Sequence, residues 1–325
     1  MDPQPPQQHP LAAIDIGTNT IRLLVALPTW ADDAISLTTL ATETATVRLG
    51  HGVERTGQIE PERLARAVAT VEAYRQIALG LGAHPILLAA TSAVRDAANG
   101  GELRERIATT SGLTLPIVAG EREAALTFAG ATVGQSLAGT VLVGDLGGGS
   151  LELIVSHDGQ VLSAVSLQLG SGRLTERHIG ANPPTAAMIA AAESDARTIL
   201  QAYAQAHTQV PAAAAPPIDR LIIVGGTATS IPILVPRPQH TATISTRRLA
   251  GASAVLTGAA IETLAAETGL EVERVRTLPA GVAIISALFA VFGVDTAIIG
   301  SGGIREGLLL DYLRNNDRSN ESGSS

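Results

Sequence analysis

The sequence predicts an α/β protein made of two copies of one unit, each a mixed five-stranded sheet with helices. Three observations predict it. The order of strands, turns and helices in the first half recurs in the second. Each half opens on an apolar strand that ends in an aspartate and a glycine turn, and each continues into a helix with apolar residues at three- and four-residue spacing. At 325 residues, 46% hydrophobic and 16% charged, the chain can bury a large core, and its length favours two domains.

In the first half, Leu11–Asp15 reads as a strand, followed by the glycine turn, strand Ile21–Leu27, a turn around Asp32-Asp33, and strand Ile35–Thr42. In the second, Thr140–Asp145, the Gly147–Ser150 turn, Leu151–Ser156, a tight turn at His157-Asp158-Gly159 and Val161–Leu169 repeat that meander. Amphipathic helices follow at Pro61–Leu79 and Thr185–Ala206. Buried strands come next, Ile86–Ala90 and Arg220–Val224, ending in Thr91-Ser92-Ala93 and Gly225-Gly226-Thr227. Strand-turn-helix units at Leu115–Gly130 and Asp295–Leu313 close the pattern. This is the layout of the duplicated actin-like, ribonuclease-H-like fold, whose ligands lie in the cleft between the halves. The boundary is expected near Gly130–Gly139, giving domains 11–130 and 131–304, with a last helix at about 305–316 packing back on the first. Gln209–Pro217 reads as a surface linker, and residues 1–10 and 317–325 as disordered tails.

Composition removes several function classes. With 22 basic against 30 acidic residues, the net charge of −8 carries no general nucleic-acid footprint. The absence of cysteine removes disulfides, thiolate catalysis and Cys-ligated zinc. Every basic residue is arginine, which excludes Schiff-base chemistry and a lysine-bearing phosphate loop. The seven histidines are scattered without a metal-ligand pair. Apolar runs such as Val282–Val294 are too short and interrupted to span a membrane. The Pro- and Gln-rich start has neither an apolar signal core nor a basic flank, so the expected location is the cytoplasm.

The glycine turns carry the chemistry. In Asp15-Ile16-Gly17-Thr18-Asn19-Thr20 and Asp145-Leu146-Gly147-Gly148-Gly149-Ser150, glycine lets backbone N–H groups approach an anion, and the hydroxyl and amide side chains add neutral donors. Aspartate beside phosphate requires a hard cation between the two anions, so the turns point to metal-assisted phosphoryl chemistry. Glu152 lies seven residues past Asp145 across a hairpin, which places it either toward the site or on an outward strand face.

Seven segments resemble one family in order and spacing, from residue 11 to about residue 313. They read IDIGTNTIRLLV, ATSAVRDAANG, VAGEREAALTFAG, VGDLGGGSLEL, LQLGSGRLTE, IVGGTATS and SGGIREGLL. The family is that of exopolyphosphatases and guanosine pentaphosphate phosphohydrolases, members of the actin-like ATPase superfamily. Longer members add a C-terminal helical domain, so the chain resembles the short two-domain type. The resemblance implies release of terminal orthophosphate from inorganic polyphosphate, or of the 5′ γ-phosphate from guanosine pentaphosphate, with Mg²⁺ (or Mn²⁺). By motif position Glu123 is the general base, and Asp145 and Glu152 are catalytic carboxylates that hold metal or the attacking water, with Asp15 a further metal ligand. The phosphate-binding set is Gly17, Thr18, Asn19, Thr20, Arg22, Arg95, Gly147, Gly148, Gly149, Ser150, Gly226 and Thr227. A homodimer with roles in the stringent response is also implied, with neither nucleic acid nor membrane as a partner.

The sequence departs from the family pattern at Arg122, where many relatives place an acidic residue beside the base; a cation there either weakens Glu123 as a base or binds substrate. Two other readings keep the fold: a small-molecule kinase in which Gly225-Gly226-Thr227 contacts adenosine, and a non-catalytic alarmone or polyphosphate sensor.

Overall fold

The computed structural model describes residues 9–31, 34–207, 217–236 and 242–322. The expected Asp32-Asp33 turn, most of the N-terminal tail, most of the 209–217 linker and residues 323–325 lie outside the described residues. The chain divides into two compact units, residues 1–119 with 304–325, and residues 120–303. The division falls at 119/120, where the sequence suggested 130/131. Helix Gly120–Ala131 groups with the second unit because it packs on that unit's strands.

In the first unit the sheet order is β3-β2-β1-β4, with β1 Leu11–Ile16, β2 Thr20–Ala31, β3 Ala34–Thr46 and β4 Ile86–Ala90. β1, β2 and β3 form an antiparallel meander, and β4 joins β1 in parallel. A fifth strand was expected after Leu115; among the described residues its place is taken by a single parallel bridge between Ala90 and Ile117. The β2–β3 ribbon is longer than expected, because Thr38, Thr39, Thr42, Thr44 and Thr46 suit a pleated strand as well as aliphatic residues do. One face of the sheet packs on helix Pro61–Gly80 through Leu64, Ala67 and Val71. The opposite face carries Leu11, Ala13, Leu24 and Ala26, covered by Leu309 and Leu313 of helix Ile304–Ser322. That helix runs past the expected end near residue 316. Arg305 Nη1 donates to Leu23 C=O at 2.9 Å, fixing the start of the helix on β2.

The second unit repeats the topology. Among the described residues its sheet has six strands, ordered β7-β6-β5-β8-β10-β9. They are β5 Thr140–Leu146, β6 Leu151–His157, β7 Gln160–Leu167, β8 Arg220–Val224, β9 Thr243–Ser245 and β10 Thr296–Ile299. β5, β6 and β7 form the meander, β8 pairs with β5 and β10 with β8 in parallel, and short β9 is an added antiparallel edge. The turn between β6 and β7 is tight because Asp158 (φ 46) and Gly159 (φ 81) are both left-handed, as a two-residue hairpin loop requires. Helix Ala186–His207 packs against helix Val272–Phe292 in the main core. The latter is a 21-residue helix whose most apolar stretch has a mean hydropathy of 1.9, long and apolar enough to cross a membrane. It extends the Val282–Val294 run that the sequence read as too short. In the structure 72% of its most apolar stretch is buried within the protein, with Leu278, Val282, Ile285 and Leu288 in the core.

Candidate active site

Carboxylates gather in the second unit. The β5–β6 register sets Asp145 directly opposite Glu152. Paired residues on an antiparallel ladder project to the same face, so the seven-residue spacing brings both acids to one side. Glu123 comes from the first turn of helix Gly120–Ala131, which packs on β5, β6 and β7. Glu123 is 5% exposed and Glu152 2% exposed, whereas neighbouring Arg122 is exposed. Burial holds the Glu152 carboxyl well above the usual carboxylate range, and the charges of Glu123 and Asp145 push it further in that direction. Hydrogen bonds from Ser166 and Ser150 oppose that rise. Ser166 Oγ donates to Glu152 Oε1 at 2.7 Å. One helical turn beyond Glu123, fully buried Thr127 donates its hydroxyl to Asp145 Oδ2 at 3.4 Å.

The turn after β5 has its carbonyls bonded into the protein. Gly147 N–H donates to Ser150 C=O at 3.0 Å, closing the turn. Its carbonyls are taken up by the start of helix Ser171–His178: Ser171 N–H donates to Gly147 C=O at 3.0 Å, and Gly172 and Arg173 N–H donate to Gly148 C=O at 2.9 and 3.0 Å. Arg173 Nε donates to Gly149 C=O at 3.1 Å, so this arginine braces the turn. With the oxygens drawn into the protein, the Gly148 and Gly149 N–H groups have no acceptor among the described residues, which is the condition for an anion cradle. Glycine at 170 is needed for this packing, since a Cβ there would lie 2.4 Å from Gly148 C and O.

Parallel pairing of β5 with β8 sets Val224 beside Asp145 and delivers the Gly225–Thr227 turn next to it. Gly225 has φ +102, and a Cβ there would lie 3.2 Å from Asp145 Oδ1, so only glycine meets both the backbone angle and the close approach. Gly226 lies under the Arg274 guanidinium, three atoms of which would fall within 2.5 Å of an added Cβ. Thr227 is fully buried against Gly281.

The first unit carries the same turn with different partners. Gly17 N–H donates to Thr20 C=O at 3.0 Å, matching the Gly147–Ser150 bond. Here the segment after β3 takes the carbonyls: Gly50 N–H donates to Thr18 C=O, and Val47 and Arg48 N–H donate to Asn19 C=O. Thr18 Oγ1 and Ser92 Oγ share a hydrogen bond of 2.8 Å. Asp15 pairs across the ladder with Arg22, so the position that holds Glu152 in one unit holds an arginine in the other. Arg95 Nη1 donates to Val118 C=O at 2.8 Å.

The structure thus brings together Glu123, Asp145, Glu152, the Gly147–Ser150 turn, Gly226 and Thr227 in the second unit. Asp15, Gly17, Thr18, Asn19, Thr20, Arg22 and Arg95 belong to the first. No three His, Cys, Asp or Glu side chains among the described residues form a self-contained metal cage. Sequence reading missed Thr127, whose signal was its place four residues after Glu123, and Ser166, which the hairpin register alone reveals.

A family model for Ppx/GppA phosphatases matches residues 30–316. Exopolyphosphatase 2 of Mycobacterium tuberculosis is 38% identical over 181 residues, 54% of this chain and 56% of that protein, so the match spans about half of that relative's length. Exopolyphosphatase 1 of Mycobacterium leprae is 30% identical over 317 residues, 93% of this chain and 89% of that one. A solved exopolyphosphatase from Cytophaga hutchinsonii superposes with a TM-score of 0.82 over 94% of this chain and 98% of its own, at 23% identity, a likeness of fold. The mixed sheets are those of the duplicated actin-like architecture, and the chain belongs to the Ppx/GppA phosphatase family.

Proposed function

We propose that this protein is a phosphohydrolase that releases terminal orthophosphate from inorganic polyphosphate, the 5′ γ-phosphate from guanosine pentaphosphate, or both. The observation that carries the proposal is the clustering of buried Glu123 and Glu152 with Asp145 beside a glycine turn that has two unspent amides. Phosphoanhydride hydrolysis needs an oriented water, a group to take its proton, and positive charge for the phosphoryl oxygens. Glu123 is assigned as the base that orients and deprotonates the water. The Gly148 and Gly149 N–H groups, with Ser150, are assigned to phosphoryl oxygens. Gly226 and Thr227 belong to the same set; within the first unit, Gly17–Thr20, Arg22 and Arg95 are assigned to phosphate by their motif positions. Arginine suits that role, since its fork stays charged and bonds phosphate bidentately.

The residues present fit a divalent cation. Glu152 is buried against two like charges, a crowding that an adjacent hard cation would offset, and the carboxylate donors are all oxygen. Mg²⁺ needs only one or two protein carboxylates because phosphate oxygens and water fill the remaining positions. Asp145 and Glu152 of the second unit are the residues assigned to hold it, and Asp15 is assigned to metal within the first unit by its motif position. Bound there, Mg²⁺ or Mn²⁺ would neutralise charge on the phosphoryl oxygens.

The test is orthophosphate release by purified protein from polyphosphates of several lengths and from guanosine pentaphosphate, with Mg²⁺ present. Release from either supports the proposal, and a strong dependence on chain length makes polyphosphate the principal substrate. No release from either, with ATP-dependent transfer to an acceptor instead, replaces hydrolysis with a kinase reaction on the same fold.

A further inference from the structure

We infer that Ser166 is a positioning residue that holds the Glu152 carboxylate in place, and that Gly120 is the steric partner that seats it. This rests on the phosphohydrolase reading above. Glu152 and Ser166 are paired directly across β6 and β7, and their side chains meet in a 2.7 Å hydrogen bond. A serine hydroxyl has one proton to donate, and here Glu152 Oε1 receives it. Glu152 needs such an anchor because Glu123 and Asp145 both repel it.

Ser166 also sits beneath the element that carries Glu123. Gly120 opens helix Gly120–Ala131, and a Cβ there would lie 2.6 Å from Ser166 Cβ and 3.4 Å from Ser166 Oγ. The helix therefore docks backbone-first onto β7 at the residue that bonds Glu152, and Glu123 follows three residues later. One serine thus touches one acid directly and fixes the approach of the helix bearing the other. Gly120 is not required by its backbone angle, so its lack of a side chain serves this contact.

The experiment compares wild type, Ser166→Ala, Glu152→Ala and the double variant, measuring kcat and KM for orthophosphate release from polyphosphate. Crystal structures of wild type and Ser166→Ala accompany it. A misplacement of about 1 Å costs on the order of 100-fold, so Ser166→Ala is expected to lower kcat by roughly 30- to 100-fold while KM moves less than about threefold. In the Glu152→Ala background the same change is expected to have almost no further effect, because its target is gone. Gly120→Ala keeps every hydroxyl and carboxylate and is expected to lower kcat by at least about tenfold through displacement of Ser166. Wild-type kcat in Ser166→Ala, or an equal loss in both backgrounds, overturns the inference. If wild type hydrolyses neither substrate, the phosphohydrolase reading fails separately. The crystal structures then decide: a shifted Glu152 carboxylate in Ser166→Ala upholds the positioning role, and an unmoved one overturns it.

Discussion

Replacing Gly170 by alanine tests whether the Gly147–Ser150 turn is held in a geometry that matters. Gly170 has φ −134 and ψ 156, an extended conformation open to any residue, so the substitution acts through contact alone. The new methyl would lie 2.4 Å from Gly148 C and O and 2.5 Å from Gly149 N, all backbone atoms that no side-chain rotation can move aside. Carbon contacts settle near 3.5 Å, so the turn must retreat by about 1 Å. Overpacking of this kind costs about 1–3 kcal/mol. In a unit of this size that lowers Tm by roughly 2–12 °C. If the turn is the phosphate cradle proposed above, a retreat of about 1 Å is expected to lower kcat by on the order of 100-fold. Gly180→Ala is the control, since a Cβ there meets nothing within 4 Å. The assay is orthophosphate release together with thermal unfolding of both variants. If Gly170→Ala keeps kcat within about twofold of wild type while Gly180→Ala behaves identically, the turn is not the phosphate cradle.

Leu309→Ala removes a fully buried side chain packed on Leu11 and Leu24 and is expected to destabilise the first unit by about 2–5 kcal/mol, read by urea unfolding. Thr127→Val keeps the shape but deprives Asp145 Oδ2 of a donor, and kcat is expected to fall about tenfold, since hydrogen bonds to charged groups contribute about 1.5–3 kcal/mol. Because the folded-state pKa of Glu152 is raised above its ordinary 4.5, the folded protein holds that proton where the unfolded chain has lost it. The resulting stability is full below the ordinary value and is lost as pH rises through the raised one. Metal-free wild type is therefore expected to lose Tm relative to Glu152→Gln as pH climbs from below the ordinary 4.5 to well above it, and added Mg²⁺ to narrow the gap.

Much of this fold is legible in the sequence because its strands are short apolar runs bounded by Gly and Asp. β4 and β8 begin and end at the expected residues, and the Asp145–Glu152 pairing follows from the turn between them. The partner of Glu152 was not legible. His157 pairs with Gln160, and that register continued unbroken would set Glu152 opposite Val165. An irregularity at Val155/Ser156 shifts the ladder by one residue and brings Ser166 there instead. Helix Val272–Phe292 escaped notice because it is apolar nearly all round, leaving no periodic face, and because Pro279 lies inside it. Gly120 and Gly170 lie in the segments VAGEREAALTFAG and LQLGSGRLTE, but the need for glycine at each was not legible, since its reason is an approach to residues distant in the sequence.

The most direct test of the account is the rate of orthophosphate release from saturating polyphosphate with Mg²⁺, wild type against Glu123→Gln. A base of this kind contributes about 10²–10⁴-fold, so kcat is expected to fall by that factor with KM nearly unchanged. Equal turnover by the two proteins would contradict the assignment of catalysis to the carboxylates of the second unit.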